Sequence, residues 1–323
     1  MTPLLSVVIP VYNERENLEP LLDDLEAVLQ GTGWTYEILC VDDRSTDGSY
    51  ELLTQLQLRR PALCVRRLRQ RAGQTAALAA GFDHAQGGTV VTMDADLQND
   101  PRDIPALVQK LGQGYDVVSG WRRRRQDPWP RHVASRIANG ILARFSGVPL
   151  HDSGCTLKAY RQETLRHLVP YGEMHRILPA YLAALGCRVG EVEVRHRPRR
   201  AGRSKYGMGR AWRVLLDIIA VVFVLRCSRT PIRAFGGLGA IFLACGAAVG
   251  LWVVVRACWF GGVWVSPLLF VAMTLVIAGI QFIALGLLGE MLLWTRATEP
   301  RERTYAIDPA SAPGAAPEPT PHR

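Results

Sequence analysis

Short apolar runs alternate with amphipathic segments along the first 120 residues. The runs at residues 4–11, 36–41, 63–68 and 89–93 have the length and composition of buried strands. Between the first two runs, leucine and valine recur at helical spacing from Leu18 to Leu29. Strands that alternate with helices in this way predict a parallel, doubly wound α/β sheet.

Polar side chains follow three of these runs directly. They are Asn13 and Glu14, then Asp42 and Asp43, then the string DADLQ at residues 94–98. In open α/β sheets the ligand binds in the crevice beyond the carboxyl ends of the strands, so we expect these three clusters to converge on one cleft. A dinucleotide or P-loop site is disfavoured, because neither G-x-G-x-x-G nor G-x-x-x-x-G-K-[ST] is present.

Helix capping is the alternative explanation for polar residues at strand ends. Ser45 or Thr46 can cap the helix that follows the second strand, and capping is the favoured explanation for Asp47 and Ser45. Capping explains the pair Asp42 and Asp43 less well, because an N-cap needs only one carboxylate and two adjacent ones repel each other.

The string DADLQ presents two carboxylates and one carboxamide after a buried strand. Mg²⁺ and Mn²⁺ prefer such oxygen ligands and are often held by one or two carboxylates plus substrate phosphates. A polar turn is the alternative, since residues 99–101 read Asn-Asp-Pro. A bare D-x-D does not decide between the two, but the fuller string favours a metal and diphosphate site with Asp94, Asp96 and Gln98 as ligands.

The C-terminal third has a membrane pattern. Residues 234–255 and 263–288 are uncharged, and at about 1.5 Å per residue each can cross about 30 Å of hydrocarbon. Arginine precedes and follows this pair, so the positive-inside rule places both ends and the preceding domain in the cytosol, at the inner membrane. Residues 212–225, interrupted by Arg213 and Asp217, are too short and too charged to span and predict an interfacial helix.

These patterns predict four regions. They are a catalytic domain at 1–206, a juxtamembrane interfacial helix at 207–230, a transmembrane hairpin at 231–295 with helices at about 234–256 and 263–289, and a cytosolic tail at 296–323. The tail is Pro- and Ala-rich beyond about Asp308, which predicts disorder there. Glycine-rich helix faces between Gly236 and Gly250 can pack within the hairpin or between subunits, so a homo-oligomer stays open. We expect no cleavable signal peptide, because residues 4–11 are short and lack a basic leader.

The charge of the chain limits the kinds of partner that it can bind, and its cysteine content indicates the redox state of its thiols. The formal net charge is +9, with basic runs at residues 122–125 and 195–205. Such runs suit nucleic acid, phosphorylated substrates or membrane surfaces. Because they flank a predicted membrane hairpin, we expect a lipid bilayer and phosphorylated substrates, and no nucleic acid. The seven cysteines include no C-x-x-C pair, which predicts reduced thiols and no disulfide framework.

Four strings, SVVIPVYNE, VDDRSTDGS, GQTAALAAGF and DADLQNDP, occur in this order between residues 6 and 101. With further strings at residues 152–161, 172–176 and 199–206, the chain resembles the inverting family 2 glycosyltransferases, which have a GT-A catalytic domain. The most similar branch is the polyprenyl-phosphate glycosyltransferases, which include dolichyl-phosphate mannose synthases, bactoprenol glucosyltransferases and undecaprenyl-phosphate formamido-arabinose transferases. The resemblance implies transfer of a sugar from a UDP- or GDP-linked donor to a polyprenyl phosphate.

The resemblance also implies roles for individual residues. The nucleoside would be held by Pro10, Tyr12, Glu14 and Asp43, with Asn13, Asp42 and Gln74 completing the donor site. Asp94, Asp96 and Gln98 would lie at the metal, Mg²⁺ or Mn²⁺, and at the diphosphate. In related enzymes a basic loop folds over the diphosphate, and Arg199 and Lys205 match its basic positions. Arg44 departs from the family, which usually has a small residue or Asn there.

A candidate acceptor site follows the fifth predicted strand, residues 115–122, whose end carries Arg122. Arg131 and Ser135 are spaced i, i+4 on a predicted helix and present a guanidinium and a hydroxyl on one face. From spacing alone a solvated helix face is favoured, but in the family the corresponding Arg and Ser lie where the lipid phosphate enters. We therefore assign Arg131 and Ser135 to the acceptor phosphate. Arg122 and Asp152 complete the predicted catalytic set, Asp152 as a contact to sugar or acceptor.

The acceptor chemistry indicates the mechanism. A phosphomonoester has its second pKa near about 6, so it is mostly a dianion at neutral pH and attacks the anomeric carbon without a general base. Among alternatives, a processive polysaccharide synthase needs a Q-x-x-R-W motif and more spans, and neither is present. A catalytically silent membrane scaffold that binds nucleotide sugars is disfavoured by the intact DADLQ. A transferase of the same family that acts on another acceptor stays open.

Overall fold

The computed structural model describes residues 5–123, 140, 150–165, 168, 174–197, 231–261, 267–298, 305–308 and 311. The chain divides into two compact units, one made of Met1–Val221 with Glu302–Arg323 and one made of Val222–Arg301. The tail after the hairpin therefore belongs to the first unit. The predicted interfacial helix and four predicted site residues lie outside the described residues; the four are Arg131, Ser135, Arg199 and Lys205.

The first unit is built on a seven-stranded sheet. Its strands are β1 (Leu5–Val11), β2 (Tyr36–Asp42), β3 (Leu63–Arg67), β4 (Thr89–Thr92), β5 (Val117–Trp121), β6 (Lys158–Arg161) and β7 (Val189–Glu193). They lie in the order β3-β2-β1-β4-β6-β5-β7, and β6 alone of these seven is antiparallel to its neighbours. The predicted doubly wound, mostly parallel sheet is confirmed. The apolar runs did not indicate β6 or β7.

Helices cover both faces of this sheet. They are α1 (Arg15–Gln30), α2 (Ser49–Gln57), α3 (Gln74–His84), α4 (Ile104–Gly112), α5 (Gln162–Leu165) and α6 (Leu178–Ala184). The leucines that recur along α1 are buried in one apolar cluster with residues of α2 and α4. Residues of α3 and α6 pack in a second cluster with other strand residues. The chain thus buries alternate faces of each strand under separate sets of helices.

The helix α3 approaches the sheet very closely. Its residues from Thr75 to Phe82 are all buried, and half of them are alanine. A Cβ atom added at Gly81 would lie 2.2 Å from Cγ1 of Val8 on β1. Small side chains on this helix are therefore what lets its first turn, which carries Gln74, reach the cleft.

The predicted cap of α2 by Ser45 or Thr46 is wrong. The residue before the helix is Gly48, in the left-handed region with φ 85, and it makes no side-chain cap. Ser45 points elsewhere: its hydroxyl accepts a hydrogen bond from the backbone N–H of Asn13 at 3.0 Å. Asp47 instead accepts from the N–H of Ser49 at 3.0 Å. Ser45 and Thr46 therefore hydrogen-bond to Asn13 at the cleft and do not cap α2.

The second unit is a hairpin of α7 (Pro231–Phe260) and α8 (Pro267–Thr298). Both helices are long and apolar enough to cross a membrane. Large apolar side chains such as Trp252, Phe270 and Leu292 are exposed, unlike those of a core helix in a soluble protein. Glycine lets the two backbones approach, since a Cβ at Gly239 would lie 2.7 Å from the carbonyl oxygen of Gly279. Gly239 and Gly246 therefore pack within the hairpin, whereas a Cβ at Gly237 would meet nothing within 4 Å.

The close packing of α3 is testable with Gly81→Ala. The new methyl group meets a β-branched strand residue, so we expect a loss of about 1–3 kcal/mol despite the better helix propensity of alanine. The matched control is Gly112→Ala in the last turn of α4, where a Cβ meets nothing within 4 Å. Thermal unfolding of the full-length protein in detergent measures both. Equal melting temperatures for the two variants would contradict the packing argument.

Candidate active site

The carboxyl ends of β1 and β2 are tied together through Asn13. This residue has a positive φ of 54, a conformation that Asn tolerates better than most residues. Its side-chain oxygen accepts from the backbone N–H of Thr46 at 2.8 Å, and its own N–H donates to Ser45. The next residue, Glu14, accepts a hydrogen bond from the Asn17 side chain at 2.7 Å. The first two predicted clusters therefore do converge.

The adjacent carboxylates at the end of β2 point to different partners. The two oxygens of Asp43 accept from the backbone N–H groups of Ala72 at 2.7 Å and Gly73 at 2.9 Å. Asp42 accepts from the N–H of Ser45 and pairs with the Arg67 guanidinium at 3.2 Å. Burial raises the pKa of both carboxyl groups, and the backbone donors partly offset that increase. Asp43 thereby fixes the loop that leads from β3 into α3.

An aromatic ring and a guanidinium group stack on each other beside this loop. The guanidinium of Arg71 lies 4.0 Å from the centroid of the Tyr12 ring, within cation–π range. Pro10 lies on β1 and lines a pocket together with Gln74 and Asp94. Side chains from β1, from α3 and from the end of β4 therefore share this pocket.

Asp94 is the most perturbed carboxylate of the cleft. Its Oδ1 accepts from the Gln74 amide at 2.8 Å and its Oδ2 from the Thr156 hydroxyl at 2.9 Å. Burial, followed by repulsion from Asp96, raises its pKa to about 6. Attraction to the nearby Arg122 guanidinium opposes that rise without cancelling it. A bound cation would relieve the repulsion that remains.

Asp96 and Gln98 lie on a strained turn. Leu97 between them has a φ of 61, which a branched side chain rarely adopts. Asp96 is buried, and its Oδ1 accepts from the N–H of Gln98 at 3.2 Å. Among the described residues, no group of three or more His, Cys, Asp or Glu side chains could hold a metal alone. A cation at these two carboxylates would take further oxygens from Gln98, water or a substrate, which is the donor set that Mg²⁺ and Mn²⁺ prefer.

Arg122 and Asp152, predicted separately, form one ion pair. Arg122 Nε donates to Asp152 Oδ2 at 2.7 Å and Nη2 donates to Oδ1 at 3.0 Å, a bidentate geometry. The neighbouring residues brace this pair, because the rings of Trp121 and His151 stack at 4.4 Å and the N–H of His151 donates to Glu191 at 2.9 Å. The carboxylate thus holds the guanidinium in place near Asp94.

Three residues of the cleft floor were not assigned from the sequence. Thr156 donates to Asp94, and Lys158 is a fully buried cation whose Nζ donates to the carbonyl oxygen of His175 at 3.0 Å. Burial lowers the pKa of Lys158 to about 8 and that of His175 to about 3. His175 Nδ1 is 2.7 Å from the hydroxyl of Thr75. The sequence did contain a signal for two of them. Thr156 and Lys158 are polar residues two positions apart in a mostly apolar stretch, and residues two apart lie on the same side of an extended segment.

The start of the basic loop lies beside the acidic turn. The backbone N–H of Arg197 donates to the carbonyl oxygen of Gln98 at 2.9 Å, and His196 forms an antiparallel bridge with Asn99. The Arg197 guanidinium pairs with Asp100 at 2.8 Å. Arg199 and Lys205, further along the loop, lie outside the described residues.

Comparison with known proteins identifies the family. The family model described as Glycosyl transferase family 2 matches residues 6–169. Dodecaprenyl-phosphate galacturonate synthase from Rhizobium johnstonii is 37% identical over 314 residues, covering 95% of this chain and 90% of that protein. Undecaprenyl-phosphate 4-deoxy-4-formamido-L-arabinose transferase from Edwardsiella ictaluri is 37% identical over 290 residues, covering 89% and 88%.

Solved structures support the fold. Glucosyl-3-phosphoglycerate synthase from Mycobacterium tuberculosis, in complex with phosphoglyceric acid, aligns with a TM-score of 0.54 and 21% identity, covering 69% of this chain and 80% of that one. The same enzyme with Mn²⁺, uridine diphosphate and phosphoglyceric acid also aligns with a TM-score of 0.54 and 21% identity, covering 69% and 78%. Since the family model matches about half of the chain and the relatives match nearly all of it, this protein belongs to glycosyl transferase family 2.

Proposed function

We propose that this family 2 transferase moves a sugar from a nucleoside diphosphate sugar to a polyprenyl phosphate at the cytosolic face of the inner membrane. One observation carries the proposal: the 37% identity to dodecaprenyl-phosphate galacturonate synthase extends over 95% of the chain, through both the cleft and the hairpin. A soluble acceptor would give no reason for two apolar helices that can span a membrane.

The donor occupies the cleft at the carboxyl ends of β1, β2 and β4 in this proposal. The Tyr12 ring under the Arg71 guanidinium offers a flat surface for the base. Asp94, Asp96 and Gln98 hold Mg²⁺ or Mn²⁺, which when bound neutralises the charge on the departing diphosphate. The acidic turn, without a cation, would repel that diphosphate.

The basic loop supplies the other charges on the diphosphate. Arg197 is hydrogen-bonded to Gln98 in the acidic turn. Arg199 is two residues further on, and chain geometry keeps its Cα within about 7 Å of the Cα of Arg197. Arg199 can therefore reach a diphosphate held at Gln98. By the resemblance to related enzymes, Lys205 would supply a further positive charge to the diphosphate.

The acceptor phosphate binds on the side of the cleft that carries Arg122. Asp152 holds that guanidinium by two hydrogen bonds, so it is already oriented when a phosphate arrives. Arg131 and Ser135 bind the same phosphate from the segment that follows. A phosphate oxygen then attacks the anomeric carbon, and the bond from that carbon to the diphosphate oxygen breaks with its electron pair leaving on the diphosphate. The dianionic acceptor needs no base, and attack opposite the leaving group inverts the anomeric carbon.

The connectivity supports one topology. Residues before and after the hairpin belong to the same compact unit, which supports a topology with both ends of the hairpin on one side of the membrane. Arginine on both sides of the hairpin supports a cytosolic location for that side.

Removal of the metal site tests the donor assignment. Asp96→Asn should lower sugar transfer at least about a hundredfold, because the metal contributes several kcal/mol to leaving-group stabilisation. The control is Asp23→Asn, the same chemical change at an exposed residue of α1. The assay follows transfer from a panel of UDP- and GDP-sugars to polyprenyl phosphate in detergent, with Mn²⁺ or with EDTA. Full activity in excess EDTA would refute the metal assignment.

The raised pKa of Asp94 predicts how Mn²⁺ affinity depends on pH. Protons compete with the cation below about pH 6, so the affinity should fall as pH drops through that value. The metal-free folded protein binds this proton more tightly than the unfolded chain does, so its stability should rise as pH falls from about 6 towards the ordinary carboxyl pKa. Thr156→Val removes a hydrogen bond that lowers this pKa and should move both transitions to higher pH. Calorimetric titration with Mn²⁺ between pH 5 and 8 measures the shift, and a pH-independent affinity would exclude Asp94 as a ligand.

Arg131→Ala tests the acceptor site. Loss of a charge-assisted contact of about 1.5–3 kcal/mol should reduce acceptor use roughly ten- to hundredfold with little change in donor affinity. Lys at this position should restore activity only partly, because an ammonium lacks the planar fork. Arg59→Ala, an exposed arginine after α2, is the control. Steady-state kinetics with donor and acceptor varied separately measure the KM of each substrate. If Arg131→Ala weakens donor binding alone, Arg131 belongs to the donor site.

A further inference from the structure

The chain returns to the catalytic unit after the membrane hairpin. The strand β3 is the edge of the sheet, and residues 305–308 lie along its end. The N–H of Arg69 donates to the carbonyl oxygen of Ala306 at 2.8 Å, and the N–H of Asp308 donates to that of Arg67 at 2.8 Å. Leu68 and Ile307 form the antiparallel bridge between these bonds. We call residues 305–308 and 311 the C-terminal clasp.

Side chains of the clasp also contact the unit at several points. The Tyr305 hydroxyl donates to Asp83 on α3 at 2.6 Å, and Tyr305 and Ile307 pack against the apolar cluster under α3. Ser311, beyond the predicted onset of disorder, is buried, and its hydroxyl accepts from the N–H of Arg67 at 3.1 Å. These contacts use the backbone groups that an edge strand leaves unpaired.

The clasp also gives Arg44 a partner. Arg44 Nη1 lies 3.4 Å from Asp308 Oδ2. Arg44 has a φ of 61 in the turn that follows Asp43, a conformation that costs a non-glycine residue free energy. Asp308 therefore holds the residue at which this chain departs from the pattern of its family.

The clasped segment leads directly into the donor cleft. Arg67 pairs with Asp42 at 3.2 Å and its guanidinium reaches the carbonyl oxygen of Ser45 at 3.4 Å. Residues 69–73 follow, and their backbone donates to Asp43. The loops after β2 and β3 are thus held from inside by Asp42 and Asp43 and from outside by the clasp.

We propose that the C-terminal clasp is a positioning element for the donor site, which holds the loops after β2 and β3 in the conformation that binds the nucleoside diphosphate. Donor affinity then depends on a segment that lies beyond the membrane hairpin. This inference rests on the proposed donor cleft.

The fold itself does not need the clasp. The strand β3 pairs with β2 through five residue pairs, and its residues Leu63 and Val65 belong to the cluster formed with α1 and α2. Removal of the clasp should therefore loosen residues 66–73 and leave the sheet intact. This difference separates a positioning role from a merely structural one.

The test compares two truncations of the full-length enzyme in detergent. Deletion of residues 302–323 should raise the donor KM about tenfold, with kcat and the acceptor KM nearly unchanged, as expected for a typical coupling between sites. Deletion of residues 312–323 keeps the clasp and should leave all three parameters as in the wild type. Hydrogen exchange should show lost protection at residues 66–73 in the longer deletion only.

A second arm avoids truncation. Ile307→Asp should weaken the docking, and Asp308→Ala and Arg44→Ala should each have a smaller effect, about twofold, that does not add in the double variant. A synthetic peptide of residues 302–316 should restore the donor KM of the enzyme that lacks residues 302–323, whereas a scrambled peptide should not.

Binding of UDP and GDP, measured by calorimetry without acceptor, separates the two proposals. Weaker nucleotide binding on loss of the clasp supports the inference even if no sugar is transferred to polyprenyl phosphate, a result that would refute the proposed acceptor instead. Unchanged nucleotide affinity and unchanged donor KM in the longer deletion would overturn the clasp proposal.

Discussion

Burial of acidic groups at the carboxyl ends of the strands is the constraint on which this structure depends. Asp42, Asp43, Asp94 and Asp96 are all largely removed from water, and an uncompensated buried carboxylate is costly. Three of them take partners from other elements: Asp42 pairs with Arg67, Asp43 accepts from the backbone of residues 72 and 73, and Asp94 accepts from Gln74 and Thr156. Asp96 accepts from the N–H of Gln98 within its own turn. The loops of the cleft take their shape from these contacts, and a bound cation would relieve the repulsion between Asp94 and Asp96.

The two units differ in how they bury their apolar side chains. In the catalytic unit the apolar positions of each strand are covered by helices on both faces, whereas the hairpin leaves its large apolar side chains exposed. Helices in lipid gain little from hiding apolar surface, so they associate through close backbone contact. The glycine pair at 239 and 279 provides that contact. Family membership extends across both units because the relatives align over nearly the whole chain.

The segment after the hairpin pairs with the edge of the sheet. A chain that crosses the membrane twice returns to its starting side, and here it returns to the free edge of the sheet. That edge would otherwise offer unpaired backbone groups for association with other chains. Because β3 leads into the loop held by Asp43, the contacts that protect this edge also order a loop of the cleft.

The sequence alone determined what depends on local pattern. The length and composition of apolar runs predicted β1 to β5 and both hairpin helices, and DADLQ with its neighbouring motifs predicted the family. Buried strands and oxygen ligands can both be recognised in short stretches of sequence. Only the tertiary structure decided the partners across the chain. It paired Arg122 with Asp152 and Thr156 with Asp94, and it moved Ser45 from a helix cap to Asn13. It also brought residues 305–308 and 311 to β3, far away in sequence. Contacts between residues so distant in sequence depend on the order of the strands, which no local pattern shows. A short antiparallel strand such as β6 also has too few residues to show a period of its own.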